Sequence, residues 1–139
     1  MEGKSVLIVD DSERIREELR SEYSGLGLKV VGECINGLQA IEFLEENPNT
    51  DFVSLDIIMP EMDGIECYRA IRALRLNVRV LIITSLAAEP RFINAFENEI
   101  KASHFLAKDL VKEELESAVS VVMADPPMPL PIKEVENKA

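Results

Sequence analysis

Polar side chains follow short apolar runs at several points in the chain, and together they could bind a metal ion or a phosphoryl group. Five of them are candidates for a single site: Asp10, Asp11, Asp56, Thr84 and Lys108. If the apolar runs are parallel strands of one sheet, these side chains meet at the rim formed by the carboxyl ends of the strands. Three carboxylates at one rim repel each other and raise at least one pKa, unless a cation lies between them. The sequence therefore predicts a cation site.

The ligand types indicate which cation this site prefers. Oxygen ligands alone, with water completing the shell, suit Mg²⁺ or Mn²⁺, whereas zinc sites use histidine or cysteine. Lys108 adds a positive charge that can hold an anionic oxygen, and Thr84 adds a hydroxyl donor. The set as a whole is suited to balancing the charge of an incoming phosphoryl group.

The elements that must position these residues are five apolar runs alternating with segments of helical period, which is the pattern of parallel strands joined by crossover helices. The runs cover residues 6–9, 30–35, 52–55, 78–83 and 104–107. Several are nearly continuous valine, isoleucine and leucine, as expected of strands covered on both faces. We predict an α/β doubly wound (βα)₅ fold with a five-stranded parallel sheet, in which the strand order reverses somewhere.

Capping and turn residues predict where the five helices begin and end. Ser12 caps the first helix, which ends near residues 25–27, and Asn36-Gly37 begins the second, with Leu38 among its inward-facing residues. The third and fourth helices are predicted at residues 64–74 and 88–98. Asp109 is the predicted cap of the fifth.

Composition limits the kind of protein and its partners. The 139 residues carry 26 acidic and 15 basic side chains, a net charge of −11, which disfavours direct binding to nucleic acid or to an anionic membrane surface. We expect one domain at residues 1–124 and a proline-rich tail or linker at 125–139. Cys34 and Cys67 lack metal-ligand spacing and are predicted to be reduced core residues. No segment has the length of a membrane span, so a cytoplasmic location is expected.

Four segments carry a resemblance to a known family. "VLIVDDS", "LDIIMPEMDG", "LIITS" and "FLAKD" resemble the receiver domain of bacterial two-component response regulators, in the same order along the chain. The resemblance covers about residues 4–124. It implies the flavodoxin-like fold of that family and a Mg²⁺-dependent phosphoacceptor function.

The resemblance also implies a role for each residue at the acidic end of the site. Asp56 would be the nucleophile that takes a phosphoryl group from a phosphohistidine or a small acyl phosphate. Asp11, Asp56 and the backbone carbonyl of Ile58 would ligate Mg²⁺, with Asp10 acting mainly through water.

On the phosphoryl side, Thr84 and Lys108 would contact the phosphoryl oxygens. Phe105 would be a switch aromatic that turns inward when Thr84 moves toward the phosphate. Phosphorylation would then change a partner-binding face made of the fourth helix, the fifth strand and the fifth helix.

The chain departs from the usual pattern of the family at several positions. Asp109 stands where the family often has a proline after the lysine, here Lys108. Lys101 lies between the fourth helix and the fifth strand, in a segment that lacks the family's usual glycine. This predicts either a strained backbone at Lys101 or a different end of the fourth helix. Ile58 and Leu86 are apolar where the family tunes dephosphorylation, so we predict a long-lived phosphorylated state. His104, the single histidine, is predicted to be a strand surface residue.

The leading functional hypothesis is a stand-alone phosphoacceptor that receives its phosphoryl group from a histidine kinase or phosphotransfer protein. It would act on a downstream protein partner, as a monomer or as a phosphorylation-dependent dimer. Three alternatives stay open at this point: the receiver fragment of a longer transcriptional regulator, a Mg²⁺-dependent phosphohydrolase, and a phosphorylation-independent binding module. The hydrolase would need a second acid/base group and a substrate cap, which the sequence around Asp56 does not supply.

Overall fold

The computed structural model describes residues 2–126, and strands and helices alternate along that stretch. In chain order they are β1 (Ser5–Val9), α1 (Glu13–Gly25), β2 (Lys29–Cys34), α2 (Gly37–Glu46), β3 (Phe52–Leu55), α3 (Gly64–Ala73), β4 (Arg79–Thr84), α4 (Pro90–Ala95), β5 (Phe105–Ala107) and α5 (Val111–Ala124). Short 3₁₀ turns precede α4, β5 and α5. The predicted succession of strands and helices is confirmed.

All five strands run parallel in one sheet, in the order β2-β1-β3-β4-β5. The order reverses at β1, which pairs with β2 on one side and β3 on the other. Val9 at the end of β1 is in register with Leu55 at the end of β3. The residues that follow these two strands therefore emerge side by side at the reversal, the position at which ligands bind to open α/β sheets.

Both faces of the sheet are covered, as the apolar runs predicted. Along β1, Val6 and Ile8 belong to the core that packs under α1 and α5, while Leu7 and Val9 belong to the core under α2 and α3. All four side chains are essentially fully buried. Burying a side chain of this size stabilises the fold by roughly 1.5–3 kcal/mol, so the central strand is a rigid support for the residues at its end.

Helix α4 is shorter than the predicted segment 88–98, because the chain leaves the helix in order to bury Ile100. Two amides, those of Glu99 and Ile100, each donate to the carbonyl of Phe96 at 2.8 Å, and Ile100 is almost completely buried. Lys101 then adopts an ordinary extended backbone (φ −64°). Of the two possibilities left open for the missing glycine, the different helix end is the one observed.

The expectations for Leu38, Asp109 and His104 were wrong. Leu38 is 45% exposed, because α2 turns Ala40 and Leu44 toward the core instead. Asp109 does not cap α5, since residues 108–110 form a separate 3₁₀ turn and the helix begins at Val111.

His104 is not a surface residue: it is only 5% exposed, and its Nε2 lies 2.8 Å from Oδ2 of Asp125 at the end of α5. The carboxylate lets the imidazole be buried with a polar partner. Arg79 Nε donates to the backbone carbonyl of Asp125 at 3.1 Å, so the end of α5 is attached to β4 as well as to the start of β5.

Cys34 and Cys67 are both buried and free, as predicted, and burial raises the pKa of the Cys67 thiol to about 12. The predicted tail lies outside the described residues from position 127 onward. Within residues 2–126, none of the helices has the length and apolar character needed to cross a bilayer.

Candidate functional site

Three carboxylates meet at the carboxyl ends of β1 and β3. Asp10, Asp11 and Asp56, hereafter the acidic notch, each place a carboxylate oxygen within 4.8 Å of the others. Asp10 (2% exposed) and Asp56 (4% exposed) are buried, whereas Asp11 faces solvent. The backbone amide of Asp56 donates to the carbonyl of Val9 at 3.0 Å, which continues the β1–β3 pairing into the site.

Lys108, directly after β5, reaches into the acidic notch. Its Nζ lies 3.0 Å from Oδ2 of Asp56 and 3.1 Å from Oδ2 of Asp10. Burial alone would lower the pKa of this ammonium, but the two carboxylates outweigh burial and raise it. Lys108 is therefore a permanent positive charge between two buried acids.

Asp56 differs from an ordinary surface carboxyl. Burial, together with the nearby charge of Asp10, raises its pKa, while Lys108 and the amide of Ile57, which donates to Oδ1 at 2.8 Å, act in the opposite direction. A carboxylate that is buried and repelled by a neighbouring acid gains from any added positive charge. This environment suits a nucleophile that works beside a cation.

Thr84 ends β4, the strand next to β3, and is fully buried. Its hydroxyl oxygen accepts a hydrogen bond from the amide of Leu86 at 3.3 Å, so in this state the side chain caps the 3₁₀ turn 85–88. The structure thus places Thr84 at the predicted rim, in contact with the loop that leads to α4.

The loop between β3 and α3 is folded tightly against Asp56. The amide of Gly64 donates to the carbonyl of Ile57 at 2.7 Å, and a Cβ added to Gly64 would lie 2.1 Å from the carbonyl oxygen of Asp56. Asp63 caps α3 in a reciprocal capping box with Glu66. The side chain of Ile58, two residues after Asp56, is 62% exposed.

Phe105, the predicted switch aromatic, is buried under α4. Its ring packs edge-on against Phe92, with ring centroids 5.9 Å apart, and Phe92 in turn contacts Phe96 at 5.2 Å. In the structure the aromatic side chain occupies an inward position. Its movement on phosphorylation stays a prediction.

One contact to the notch was missed from the sequence. Nη1 of Arg16, on α1, donates to the backbone carbonyl of Asp10 at 2.7 Å. The polar face of an amphipathic helix gives no signal that one arginine bends back toward the loop before it. Only the fold reveals the contact.

The acidic notch fits a hard divalent cation. Mg²⁺ binds oxygen at roughly 2.1 Å, so ligands on opposite sides of the ion are about 4 Å apart. The spacing of the three carboxylate oxygens allows all of them to lie around one such ion after small side-chain adjustments. The set contains only oxygen donors, which favours Mg²⁺ or Mn²⁺ over zinc.

Comparison with known proteins shows which family the chain belongs to. The family model described as the response regulator receiver domain matches residues 6–120. The chain is a response regulator receiver domain. This match confirms the resemblance seen in the sequence, and it does not favour the phosphohydrolase alternative.

The receiver has relatives of nearly its own length. It is 36% identical over 109 residues to the chemotaxis protein CheY of Thermotoga maritima, covering 78% of this chain and 84% of that protein. Its structure is similar to that of CheY in a CheX–CheY–BeF₃–Mg²⁺ complex from Borrelia burgdorferi (TM-score 0.76, 30% identity, 86% and 88% of the two chains). It is equally similar to the response regulator domain of Thermotoga maritima CheB (TM-score 0.76, 30% identity, 90% and 99%).

Proposed function

We propose that this receiver accepts a phosphoryl group on Asp56, with Mg²⁺ bound in the acidic notch, and transmits the modification to a protein partner. The observation that carries the proposal is the contact of the Lys108 ammonium with both Asp56 and a second buried carboxylate, Asp10. An ammonium and a metal ion on either side of one carboxylate are suited to stabilising the charge of a transferring phosphoryl group.

In the proposed reaction a carboxylate oxygen of Asp56 attacks phosphorus. A new O–P bond forms as the P–N bond of a phosphohistidine, or the P–O bond of an acyl phosphate, breaks and the leaving group takes the electron pair. The carboxylates of the notch and the backbone carbonyl of Ile58 would hold Mg²⁺, which supplies positive charge to the phosphoryl oxygens when bound.

Two side chains act on the phosphoryl group itself. Lys108 would exchange its contact with Asp56 for a phosphoryl oxygen, while its contact with the carboxylate of Asp10 keeps a negative charge beside the ammonium. Thr84 would give up the amide of Leu86 and donate its hydroxyl to another phosphoryl oxygen. Leu86 belongs to the 3₁₀ turn before α4. Its release by Thr84 would therefore couple phosphorylation of Asp56 to the position of that turn.

The proposed phosphodonor is a histidine kinase or a phosphotransfer protein, and the proposed output is docking of a downstream partner onto α4, β5 and α5. The related CheY from Borrelia burgdorferi forms a complex with CheX in the presence of BeF₃ and Mg²⁺, which supports both the ion and a protein partner here. The chain would act as a phosphoacceptor rather than as a turnover enzyme. Two free buried cysteines agree with a reducing, cytoplasmic compartment.

The test is phosphorylation in the absence of any kinase. The protein is incubated with acetyl phosphate and Mg²⁺, and separately with beryllofluoride and Mg²⁺, and the intact mass is measured. In the wild type we expect one added phosphoryl group with acetyl phosphate and one bound beryllofluoride with the second reagent, and we expect neither adduct in Asp56→Asn. Asp109→Asn, which removes an exposed acid next to Lys108, is the matched control and should react like the wild type. An unmodified wild type, or a modified Asp56→Asn, would refute the proposal.

A further inference from the structure

Arg16 connects helix α1 to the acidic notch through the main chain. Its Nη1 donates to the backbone carbonyl of Asp10 at 2.7 Å, and its side chain is only 15% exposed. That carbonyl belongs to the peptide group that joins Asp10 to Asp11. Its orientation therefore affects both carboxylates on this side of the notch.

The guanidinium group of Arg16 makes a second contact, to Glu33. Its Nε lies 3.4 Å from Oε1 of Glu33 on β2, and Arg20, one helical turn later, donates to both oxygens of the same carboxylate at 2.7 and 3.0 Å. The hydrogen bond from Arg20 lowers the pKa of Glu33 below its ordinary value, burial opposes this, and Arg16 adds to it. Glu33 is thus an ionised anchor for two arginines of α1.

Two other groups of Asp10, its amide and its carboxylate, are also hydrogen-bonded. Its amide donates to the carbonyl of Cys34 at 3.0 Å, and its carboxylate accepts from the amide of Ser12 at 2.9 Å. Neither of these groups belongs to the peptide between Asp10 and Asp11, whose carbonyl is the acceptor for Nη1 of Arg16. Loss of Arg16 would therefore remove a hydrogen bond that orients this peptide group directly.

We infer that Arg16 is a positioning residue for the metal site: anchored by Glu33, it orients the peptide between Asp10 and Asp11 so that both carboxylates face the ion. The inference rests on the proposed function, since it concerns the metal that the phosphoacceptor uses. Partners that orient ligands from behind commonly affect metal affinity by about 10- to 100-fold.

Electrostatics and positioning predict opposite signs for the loss of Arg16. A guanidinium close to an acidic site repels a divalent cation, so removing its charge alone should tighten Mg²⁺ binding. Loss of the hydrogen bond to the main chain should weaken binding, because the two carboxylates lose their fixed orientation. The sign of the change in Mg²⁺ affinity therefore distinguishes the two effects.

The experiment is a calorimetric titration of the unphosphorylated protein with MgCl₂, accompanied by a thermal unfolding measurement of each variant. We expect Arg16→Met to bind Mg²⁺ about tenfold more weakly than the wild type, in line with other residues that orient metal ligands. Arg20→Met is the matched control: it loses an ion pair from the same helix to Glu33 without touching Asp10, and its affinity should stay within about twofold. Arg16→Lys keeps the charge and a donor and should recover part of the affinity.

Unchanged or tighter binding in Arg16→Met would overturn the inference, as would equal weakening in Arg16→Met and Arg20→Met, since that would indicate a general loosening of α1 on β2. If Arg16→Met does not fold, Glu33→Gln replaces it. Weaker Mg²⁺ binding by Glu33→Gln would support the role of Glu33 in positioning Arg16, and unchanged Mg²⁺ binding would refute the inference. A wild type that binds no Mg²⁺ would overturn the metal site itself, and this inference with it.

Discussion

Replacement of Gly64 by alanine should disturb the site more than any other single methyl group added at a glycine of this receiver. An ideal Cβ at this position would lie 2.1 Å from the carbonyl oxygen of Asp56, 2.6 Å from Cα of Ile57 and 2.8 Å from the carbonyl carbon of Asp56. All three neighbours are backbone atoms, so no side chain can rotate away. The loop itself would have to move by about 1 Å to reach ordinary contact distances.

The size of the effect follows from two losses. Forcing a methyl group into a filled space costs about 1–3 kcal/mol. Separating the loop from β3 also breaks the 2.7 Å hydrogen bond between Gly64 and Ile57, which contributes about 1 kcal/mol. A destabilisation of about 3 kcal/mol should lower the unfolding temperature by about 10 °C in a domain of this size. A displacement of about 1 Å next to the nucleophile should also slow phosphorylation at least tenfold.

The assay compares thermal unfolding and the rate of acetyl phosphate labelling in the wild type and Gly64→Ala, with Gly25→Ala as the control. Gly25 is the last residue of α1, and a Cβ there would meet nothing within 4 Å. Alanine at that position should be neutral or stabilise by up to about 1 kcal/mol. If Gly64→Ala unfolds within about 2 °C of the wild type, a shift worth less than 1 kcal/mol, and is labelled at the same rate, the close approach of the loop is not what supports Asp56.

Three further predictions concern other parts of the receiver. The phosphorylated wild type should decay slowly, and Ile58→Asn, which supplies an amide able to orient water, should speed the decay about tenfold; loss of label from the wild type within a few seconds would contradict this. His104 lowers the pKa of Asp125 below its ordinary 3.8, so the pair stabilises the fold above that pH and ceases to do so as pH falls through the lowered value. The gap in urea midpoint between wild type and Asp125→Asn should accordingly be present at pH 6 and close near pH 2, and a gap that persists would indicate another cause. Arg75 has a left-handed backbone (φ 58°) just after α3, so Arg75→Gly should raise the urea midpoint by an amount worth about 0.5 kcal/mol, and a lower midpoint would show that the side chain matters more than the backbone.

The strands were predictable because burial on both faces leaves a direct record in the sequence. Runs of apolar residues located all five strands to within one residue at either end, and β3 matched at both ends. The rule that ligands gather at the carboxyl ends of strands then placed Asp10, Asp56 and Lys108 together without any structural information. Local composition and one topological rule were sufficient for this part of the site.

The features that the sequence did not reveal depend on contacts between distant elements. The burial of His104 depends on Asp125, 21 residues later, and no periodicity links the two. The early end of α4 depends on the depth of Ile100 in the core, which is a property of the assembled layers. Arg16 lies on a polar helical face like any solvated arginine, and only the packing of α1 beside β1 turns it toward the notch.

The charge balance of the acidic notch would change when Asp56 is phosphorylated, and this change could reach the proposed partner-binding face of α4, β5 and α5. When all three acids are ionised, the ammonium of Lys108 leaves two negative charges uncompensated, and a divalent cation is the smallest addition that balances them. An incoming phosphoryl group brings nearly two more negative charges, and Lys108 is the cation already in contact with Asp56.

A shift of Lys108 toward the phosphoryl group would pull on β5, because the lysine directly follows this strand. β5 has only three residues and pairs with β4 alone, so it is the least restrained strand of the sheet. It carries Phe105, whose ring contacts Phe92 on α4. A movement of Lys108 toward the phosphoryl group would thus reach α4 through one short edge strand. β1 is paired with a strand on each side and would keep Asp10 and Asp11 in place.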